Sequence, residues 1–381
     1  MALAAPMSLR WHPIERCLGR VLGEPVRALV DVPGFHSAAM DGFAVRHDDV
    51  ALPTRLRIVG TVPAGAAPTA QVDPGCAVRI MTGAPVPRGA DAVVKVEDVR
   101  VELDEVVVAD PVAAGQHVRR RGEDVTVGTR VLPAGRTLRA ADLAAAAAVG
   151  HAELAVRHRP RVAVVTTGDE TQAPGRPLTP GQIYDSNSTY LVAALRRAGA
   201  RVVARRHCPD RTADLRILFD ELAARADLLL VAGGISAGDY DVVRDVLAEH
   251  AVHVSVRPGK PQAAGRWKGT AVLALPGNPV SVAASFASFV RPWLDQSLSR
   301  TPAPVRTARV AEGWASPSGL THLVPVTVAD DAGTRTVRPA TDRGSASHLV
   351  ASLALADAWA VVPAEVADVT PGTTVELLDL A

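Results

Sequence analysis

The sequence predicts a multidomain α/β protein: a central doubly wound, mostly parallel sheet domain, a β-rich module inserted in an N-terminal scaffold, and a small C-terminal β domain. Three observations predict it. At 381 residues the chain is two to three times an ordinary domain of roughly 100–200 residues. From Arg159 onward, apolar strand-like runs alternate with helical periodicity, the pattern of βα units. Before and after that stretch, short Val-rich runs are punctuated by Pro and Gly, as β strands and turns are.

Taken in order, residues 1–25 and 119–156 mix helical stretches with turns and are assigned to one scaffold. Residues 26–118, with RLRIVGTVPAG, CAVRIMTGAPVPRGADAVVKVEDV and EVVVADPV, form the β-rich module. The α/β domain spans 157–300. RVAVVTTG reads as a buried strand, and SNSTYLVAALRRAGA as a helix with Leu191, Leu195 and Ala198 on one face, a Ser/Asn cap before it and Gly199 after it. RVVARRH, TADLRILFDELAARA, DLLLVAGG, DYDVVRDVLAEH, AVLALPG and PVSVAASFASFV continue the alternation, with VRPGKPQAAG as a loop. Residues 304–381 return to strands in VTVAD, TVRPA, AWAVVPA and TVELLDL.

Composition narrows the function. With 48 % hydrophobic and 21 % charged residues the chain is globular rather than disordered. A formal charge of +1 supplies no general field for nucleic acid or an anionic membrane, so any basic site is local. Cys17, Cys76 and Cys208 are odd in number and widely spaced, which argues against both a disulfide framework and a zinc site. The start has no signal-peptide pattern, and no run of about 18 apolar residues occurs, so the expected location is the cytoplasm. Of 41 basic residues only Lys95, Lys260 and Lys268 are lysines, a bias that base composition explains but that singles out each lysine for inspection.

In open parallel sheets ligands sit beyond the carboxyl ends of the strands. Three turns stand there: Thr166–Glu170 (TTGDE), Ala232–Asp241 (AGGISAGDYD) and Leu275–Ser281 (LPGNPVS). Gly233 and Gly234 permit close approach, so backbone amides, the Ser236 hydroxyl and the following helix start form a candidate anion cradle. A plain tight turn is the bland alternative for any one of them. Asp169, Glu170, Asp185, Asp239 and Asp241 place carboxylates on the same side, and Mg²⁺ is the natural bridge between them and a phosphate. Arg257 and Lys260, in a loop stiffened by Pro258 and Pro261, are placed to clamp an anion. In the β module, Asp41 precedes Gly42 and Thr82 precedes Gly83; on local grounds each is a turn residue, and an Asp-Gly pair is common in hairpins.

The strings AAMDGFAVR, RIMTGAPVPRGADAVVKVED, GQHVRRRGED, VVTTGDE, IYDSN, AGGISAGDYD, RPGKP and LPGNPVS, in this order over about residues 15–295, resemble the molybdopterin molybdenumtransferase family, which includes the E domain of gephyrin. RGSASHLVASLALADAWAVVP is similar to that family's C-terminal β domain. The resemblance implies an Mg²⁺-dependent transferase that binds adenylylated molybdopterin, delivers molybdate to the dithiolene sulfurs and releases AMP, forming molybdenum cofactor. It implies Asp41, Thr82, Glu170, Asp241 and Lys260 as catalytic residues, and Asp241, Glu170 and Asp169 as metal ligands. Substrate binding falls to Gly233, Gly234, Ser236, Gly238, Asp185, Asn187, Pro276, Gly277, Asn278, Pro279 and Ser345. It further implies a homodimer with a site shared between subunits, and other molybdenum cofactor biosynthesis proteins as partners.

The chain departs from the family pattern at Ser37, Ala38 and Phe43, where Asn, Ser and Tyr are usual, at Arg211, where a second aspartate follows Asp210, and at Leu320, where an arginine is expected. Two other readings compete. GGISAGDYD also resembles the related molybdopterin adenylyltransferase, and a non-catalytic molybdopterin-binding carrier or scaffold would keep the fold while its site drifted.

Overall fold

The structure is a computed structural model that describes residues 3–380 apart from 52, 68, 236–242, 244–250, 253–254, 332 and 343–345. It is a multidomain α/β protein with three separate six-membered sheets.

The first 157 residues close on themselves, because β1 (Leu9–Pro13) pairs antiparallel with a strand far along the chain, Glu153–Arg157. Within that loop lies one mixed sheet built from β2 (Gly42–Val45), β3 (Thr54–Val62), β4 (Cys76–Ile80), β5 (Ala92–Lys95), β6 (Val99–Glu102) and β7 (Glu105–Val108), in the order β5-β2-β4-β3-β7-β6. Phe43, Val45, Leu56, Ala77 and Val94 fill one of its faces, and Ala44, Val62, Val78, Ile80 and Val93 the other. That alternation follows from the two-residue period of a strand. A separate cluster joins Leu22 and Val26 to Leu138, Ala146, Leu154 and Val156, tying the two flanks together around helix α1 (Ala140–Ala148). Cys17, Cys76 and Cys208 are each buried and unpaired.

Asp142 holds the first turn of α1. It is 3 % exposed; its carboxylate accepts from the Arg139 backbone N–H at 2.9 Å and pairs with Arg136 Nη2 at 2.8 Å. Burial by itself raises the pKa, but the hydrogen bonds from Arg136 and Arg139 outweigh it and hold the carboxyl well below its usual range. A depressed folded-state pKa stabilises the fold above the unfolded value near 3.9, and that stability is lost as the pH falls through the acid range. Asp142→Ala should therefore lower stability by roughly 2–3 kcal/mol at neutral pH, because it removes a helix cap and leaves Arg136 without its partner. Denaturant titration at pH 7 and at acid pH checks both points: the gap between variant and wild type should shrink on acidification.

The central domain starts after β8 (Glu153–Arg157). In chain order it contains β9 (Arg161–Thr167), α2 (Ser186–Arg197), β10 (Arg201–Cys208), α3 (Thr212–Ala223), β11 (Leu228–Ala232), β12 (Ala251–Val252), β13 (Val256–Arg257), β14 (Gln262–Trp267), β15 (Thr270–Leu275), α4 (Pro279–Ser285) and α5 (Arg291–Ser297). The sheet order is β10-β9-β11-β15-β14-β12; the first four strands are parallel, β14 runs antiparallel to β15, and β12 antiparallel to β14. The apolar runs of β9, β11 and β15 are buried on both faces, as parallel strands covered by crossover helices must be. Val162, Val164, Leu228, Leu230 and Leu273 pack against α2 and the α4–α5 segment, while Ala163, Val165, Leu229 and Val231 pack against α3. Successive residues of one strand thus face helices on opposite sides, which makes the domain doubly wound.

One expectation is corrected. Of the segment read as a loop, VRPGKPQAAG, only Pro258–Pro261 is loop; Val256–Arg257 and Gln262–Trp267 are strands. QAAGRW has no strong strand signal, and its state comes from pairing with β15 over Ala263–Trp267. The helix expected at DYDVVRDVLAEH lies, except for Val243, outside the described residues.

The last unit is a closed sheet of β16 (Arg306–Val310), β17 (Thr321–Asp331), β18 (Thr334–Pro339), β19 (Ala358–Val362) and β20 (Thr374–Asp379) in the circular order β17-β18-β16-β20-β19-β17. Closure removes the open edges. β13 of the central domain adds to β17, with Val256 opposite Thr321 and Arg257 opposite His322, and Trp359 and Leu323 pack on Val280 and Ala284 of α4. The barrel is thereby attached on both sides of the Pro258–Pro261 loop. Among the described residues no helix is long and apolar enough to cross a membrane.

Candidate active site at the strand ends

The ends of β9, β11 and β15 lie side by side because the three strands are parallel neighbours in register, with Thr166 opposite Ala232 and Ala232 opposite Leu275. Their turns enclose a cavity of about 410 Å³. Of the residues expected in the site, Glu170, Asp185, Asn187, Lys260, Gly233 and Gly234 line it, together with all four residues of Pro276–Pro279.

Each wall has a local cause. Gly168 has φ 122°, and a Cβ there would lie 2.5 Å from Glu170 Oε2, so glycine lets the turn fold the Glu170 carboxylate back over its own backbone. Gly233 has φ 100°, and a Cβ would stand 2.7 Å from Thr167 Oγ1; this turn too requires glycine for close approach. The Gly233 N–H, however, donates to the Leu275 carbonyl at 3.1 Å and so continues the sheet. Its amide is committed to the fold, and the cradle expected there loses that donor.

Asp185 is the N-cap of α2. Its Oδ1 accepts from Ser188 N at 2.9 Å, and its Oδ2 from the Ser188 hydroxyl and from Thr166 Oγ1 at 3.0 Å. Both oxygens accept hydrogen bonds from α2 or β9, so this carboxylate positions the helix start. Asn187, the second residue of α2, donates through Nδ2 to the Gly277 carbonyl at 2.6 Å and so ties α2 to the Pro276–Pro279 turn. Its Oδ1, and the Thr167 hydroxyl, are buried without a hydrogen-bond partner among the described residues.

Lys260 extends from a rigid turn. Gln262, 6 % exposed, donates through Nε2 to Gly259 O and to Ser285 Oγ, both at 2.8 Å. The Val280 N–H donates to the Ser347 carbonyl at 2.9 Å, which brings the tail to the first turn of α4. Ser345 belongs to that tail but lies outside the described residues, as do Ser236, Gly238, Asp239 and Asp241.

Other expected residues stand elsewhere. Asp169 does not line the cavity: its Oδ1 accepts from Asp210 N at 3.3 Å, and Asp210 Oδ2 accepts from Asp169 N at 3.2 Å. Asp41 and Thr82 are in the β module, where the Thr82 backbone N–H and hydroxyl both donate to Asp41 Oδ1 at 2.6 Å. Those two bonds hold the Asp41 carboxyl below its usual range, aided by Arg79. The pair is therefore an exposed, ionised acceptor with its second oxygen open to a ligand. Gly42 is no hairpin glycine; a Cβ would stand 1.9 Å from the Val94 carbonyl, so it is there for strand proximity. Among the described residues no group of three or more His, Cys, Asp or Glu side chains is placed to hold a metal ion. Thr167, Thr171 and Tyr184 line the cavity without having been expected there; for Thr167 the position in TTGDE at a strand end was the available signal.

Comparison with known proteins decides the family. Residues 2–150 match the MoeA N-terminal region (domain I and II), 163–296 the probable molybdopterin binding domain and 307–380 the MoeA C-terminal region (domain IV). Molybdopterin molybdenumtransferase 2 of Mycobacterium tuberculosis is 40 % identical over 385 residues, covering 97 % of this chain and 94 % of its own length. The chain belongs to the molybdopterin molybdenumtransferase family. The Synechococcus elongatus molybdopterin molybdenumtransferase is 35 % identical over 98 % of this chain and 95 % of its own. The solved molybdopterin biosynthesis MoeA protein from Pyrococcus horikoshii superposes with a TM-score of 0.84 at 31 % identity, over 100 % of this chain and 96 % of that one.

The departures from the family pattern have visible settings. Ala38 is fully buried against Ala44, Ile80 and Ala84, so the position is spent on packing. Arg211 precedes α3 and faces Asp214 at 3.9 Å on the helix surface, away from the cavity lining. The half-buried Leu320 leads into β17.

Proposed function

We propose that this protein is a molybdopterin molybdenumtransferase that binds adenylylated molybdopterin at the carboxyl ends of the parallel strands, inserts molybdate and releases AMP. The observation that carries the reading is the convergence of Glu170, Asn187, Lys260 and the Pro276–Pro279 turn on one 410 Å³ cavity, in a chain that matches the family over nearly its whole length. Every ligand in that reaction is anionic. Lys260 supplies positive charge at the cavity wall, where it offsets charge that develops on the departing phosphate. Asn187 and Asp185 hold the start of α2 in place beside it.

Magnesium fits this donor set. Mg²⁺ is ordinarily held by one or two carboxylates plus substrate phosphate oxygens rather than by an all-protein cage. Glu170, whose carboxylate makes no ion pair with a described residue, and Asp241 are the proposed ligands. Asp169, engaged with Asp210, is the weaker third. Held there by Glu170 and Asp241, the ion would supply positive charge to offset that of the substrate's pyrophosphate.

Asp41 and Thr82 are assigned to the same reaction although they are absent from the cavity lining, and the reading that unites them is a homodimer in which the β module of one subunit completes the site of the other. The protein works as a cytoplasmic enzyme, and other molybdenum cofactor biosynthesis proteins supply its substrate. Incubation with adenylylated molybdopterin, molybdate and Mg²⁺ should release AMP and yield active cofactor. Consumption of ATP with molybdopterin instead would make it an adenylyltransferase, and tight substrate binding without turnover would make it a carrier.

A further inference from the structure

Beside the strand-end cavity, on the far side of Asp185 and Thr171, lies a second concavity of about 500 Å³ along the edge strand β10. Arg205, Arg206 and His207 line it, with Thr189 and Gln172 as neutral polar neighbours. The two guanidiniums donate to neutral partners. Arg205 donates through Nε to Ser188 Oγ at 2.9 Å and through Nη2 to Thr189 Oγ1 at 3.2 Å; Arg206 donates through Nη1 to the Arg205 carbonyl at 3.2 Å. Neither is ion-paired with a carboxylate of a described residue, whereas Arg136, Arg161 and Arg291 each are. The one carboxylate in the lining, Asp185, accepts from Ser188 and Thr166 and makes no ion pair with either arginine.

Hydroxyl partners fix the Arg205 side chain without neutralising it, so Nη1 is left for a ligand. Two guanidiniums beside one carboxylate leave this concavity with an excess of positive charge that favours an anion. A guanidinium fork matches the oxygens of a tetrahedral oxyanion better than it matches any neutral group. We infer that this edge concavity is an oxyanion site for a phosphate-class dianion, gripped by Arg205 and Arg206 with Thr189 and His207 beside them. The site is distinct from Lys260 and stands or falls independently of the reaction proposed above. The plainer explanation, that basic residues keep an exposed edge strand from pairing with another chain, requires no ligand.

The test uses the full-length protein at low ionic strength in a phosphate-free buffer, with inorganic phosphate as the probe in isothermal titration. Wild type should show a saturable binding event that Lys260→Ala retains and that R205A/R206A weakens at least tenfold. Because Arg205 braces α2, Arg206→Ala alone provides a second variant that touches no other element, and it should weaken the same event severalfold with an unchanged circular dichroism spectrum. Competition identifies the source of the anion: displacement by AMP points to a phosphate ester, and displacement by molybdate but not AMP to a mineral oxyanion. No saturable binding in wild type, equal binding in wild type and both arginine variants, or loss of the event in Lys260→Ala would overturn the site.

Discussion

Replacing Lys260 by alanine should lower molybdate-dependent AMP release by about a hundredfold or more, the scale seen when one preorganised electrostatic donor is removed from a reaction centre. Stability should change by no more than about 0.5 kcal/mol, as for other exposed side chains. The contrast rests on how the three lysines are used. Lys95 pairs with Asp98 at 3.3 Å and Lys268 with Asp220 at 2.9 Å, whereas Lys260 has no ion pair with a described residue and lines the cavity. Its turn is held by Gln262 whether or not the ammonium is present, so removing the charge leaves the wall standing. Raised ionic strength should reproduce part of the defect in wild type, and Lys268→Ala, the control, should be active. Steady-state rates at varied molybdate and adenylylated molybdopterin decide it; rates for Lys260→Ala within twofold of wild type would make this lysine a solvated loop residue.

Mixing two inactive variants, Asp41→Asn and Lys260→Ala, should restore roughly a quarter of wild-type activity. In a two-fold dimer whose sites draw on both chains, a mixed dimer collects both defects in one site and neither in the other. Random exchange makes half the dimers mixed, each with one of two sites intact. A site built within one chain allows no such rescue, because every chain then carries its own defect. The experiment requires exchange conditions verified with tagged subunits. Activity no higher than that of either variant alone would place Asp41 and Lys260 in the same subunit's site and eliminate the shared arrangement. The geometry of the Asp41 pair makes Asn the informative substitution: the amide keeps an oxygen for the Thr82 N–H and hydroxyl while removing the charge.

Much of the fold was legible in the residues themselves. Continuous apolar runs such as RVAVV and LLLVA announce strands buried on both faces, and the periodic leucines and glycine-marked end of SNSTYLVAALRRAG announce a helix, because these signals are local and energetically strong; its cap is Asp185 rather than the Ser/Asn expected. The edge that carries the cavity was legible too, since parallel strands must end their turns on one side. What the sequence left open is which polar groups remain free there. Asp169, Glu170 and Asp185 look alike in one dimension; tertiary structure commits Asp185 to Thr166 and Ser188, commits Asp169 to Asp210, and leaves Glu170 over Gly168. It likewise makes a strand of QAAGRW, closes the tail into a barrel and sets Arg205 and Arg206 beside hydroxyls rather than carboxylates. The physical reason is the same in each case: secondary structure follows from periodicity and propensity within about fifteen residues, whereas a side chain's remaining hydrogen-bonding capacity depends on partners supplied by elements distant in the chain.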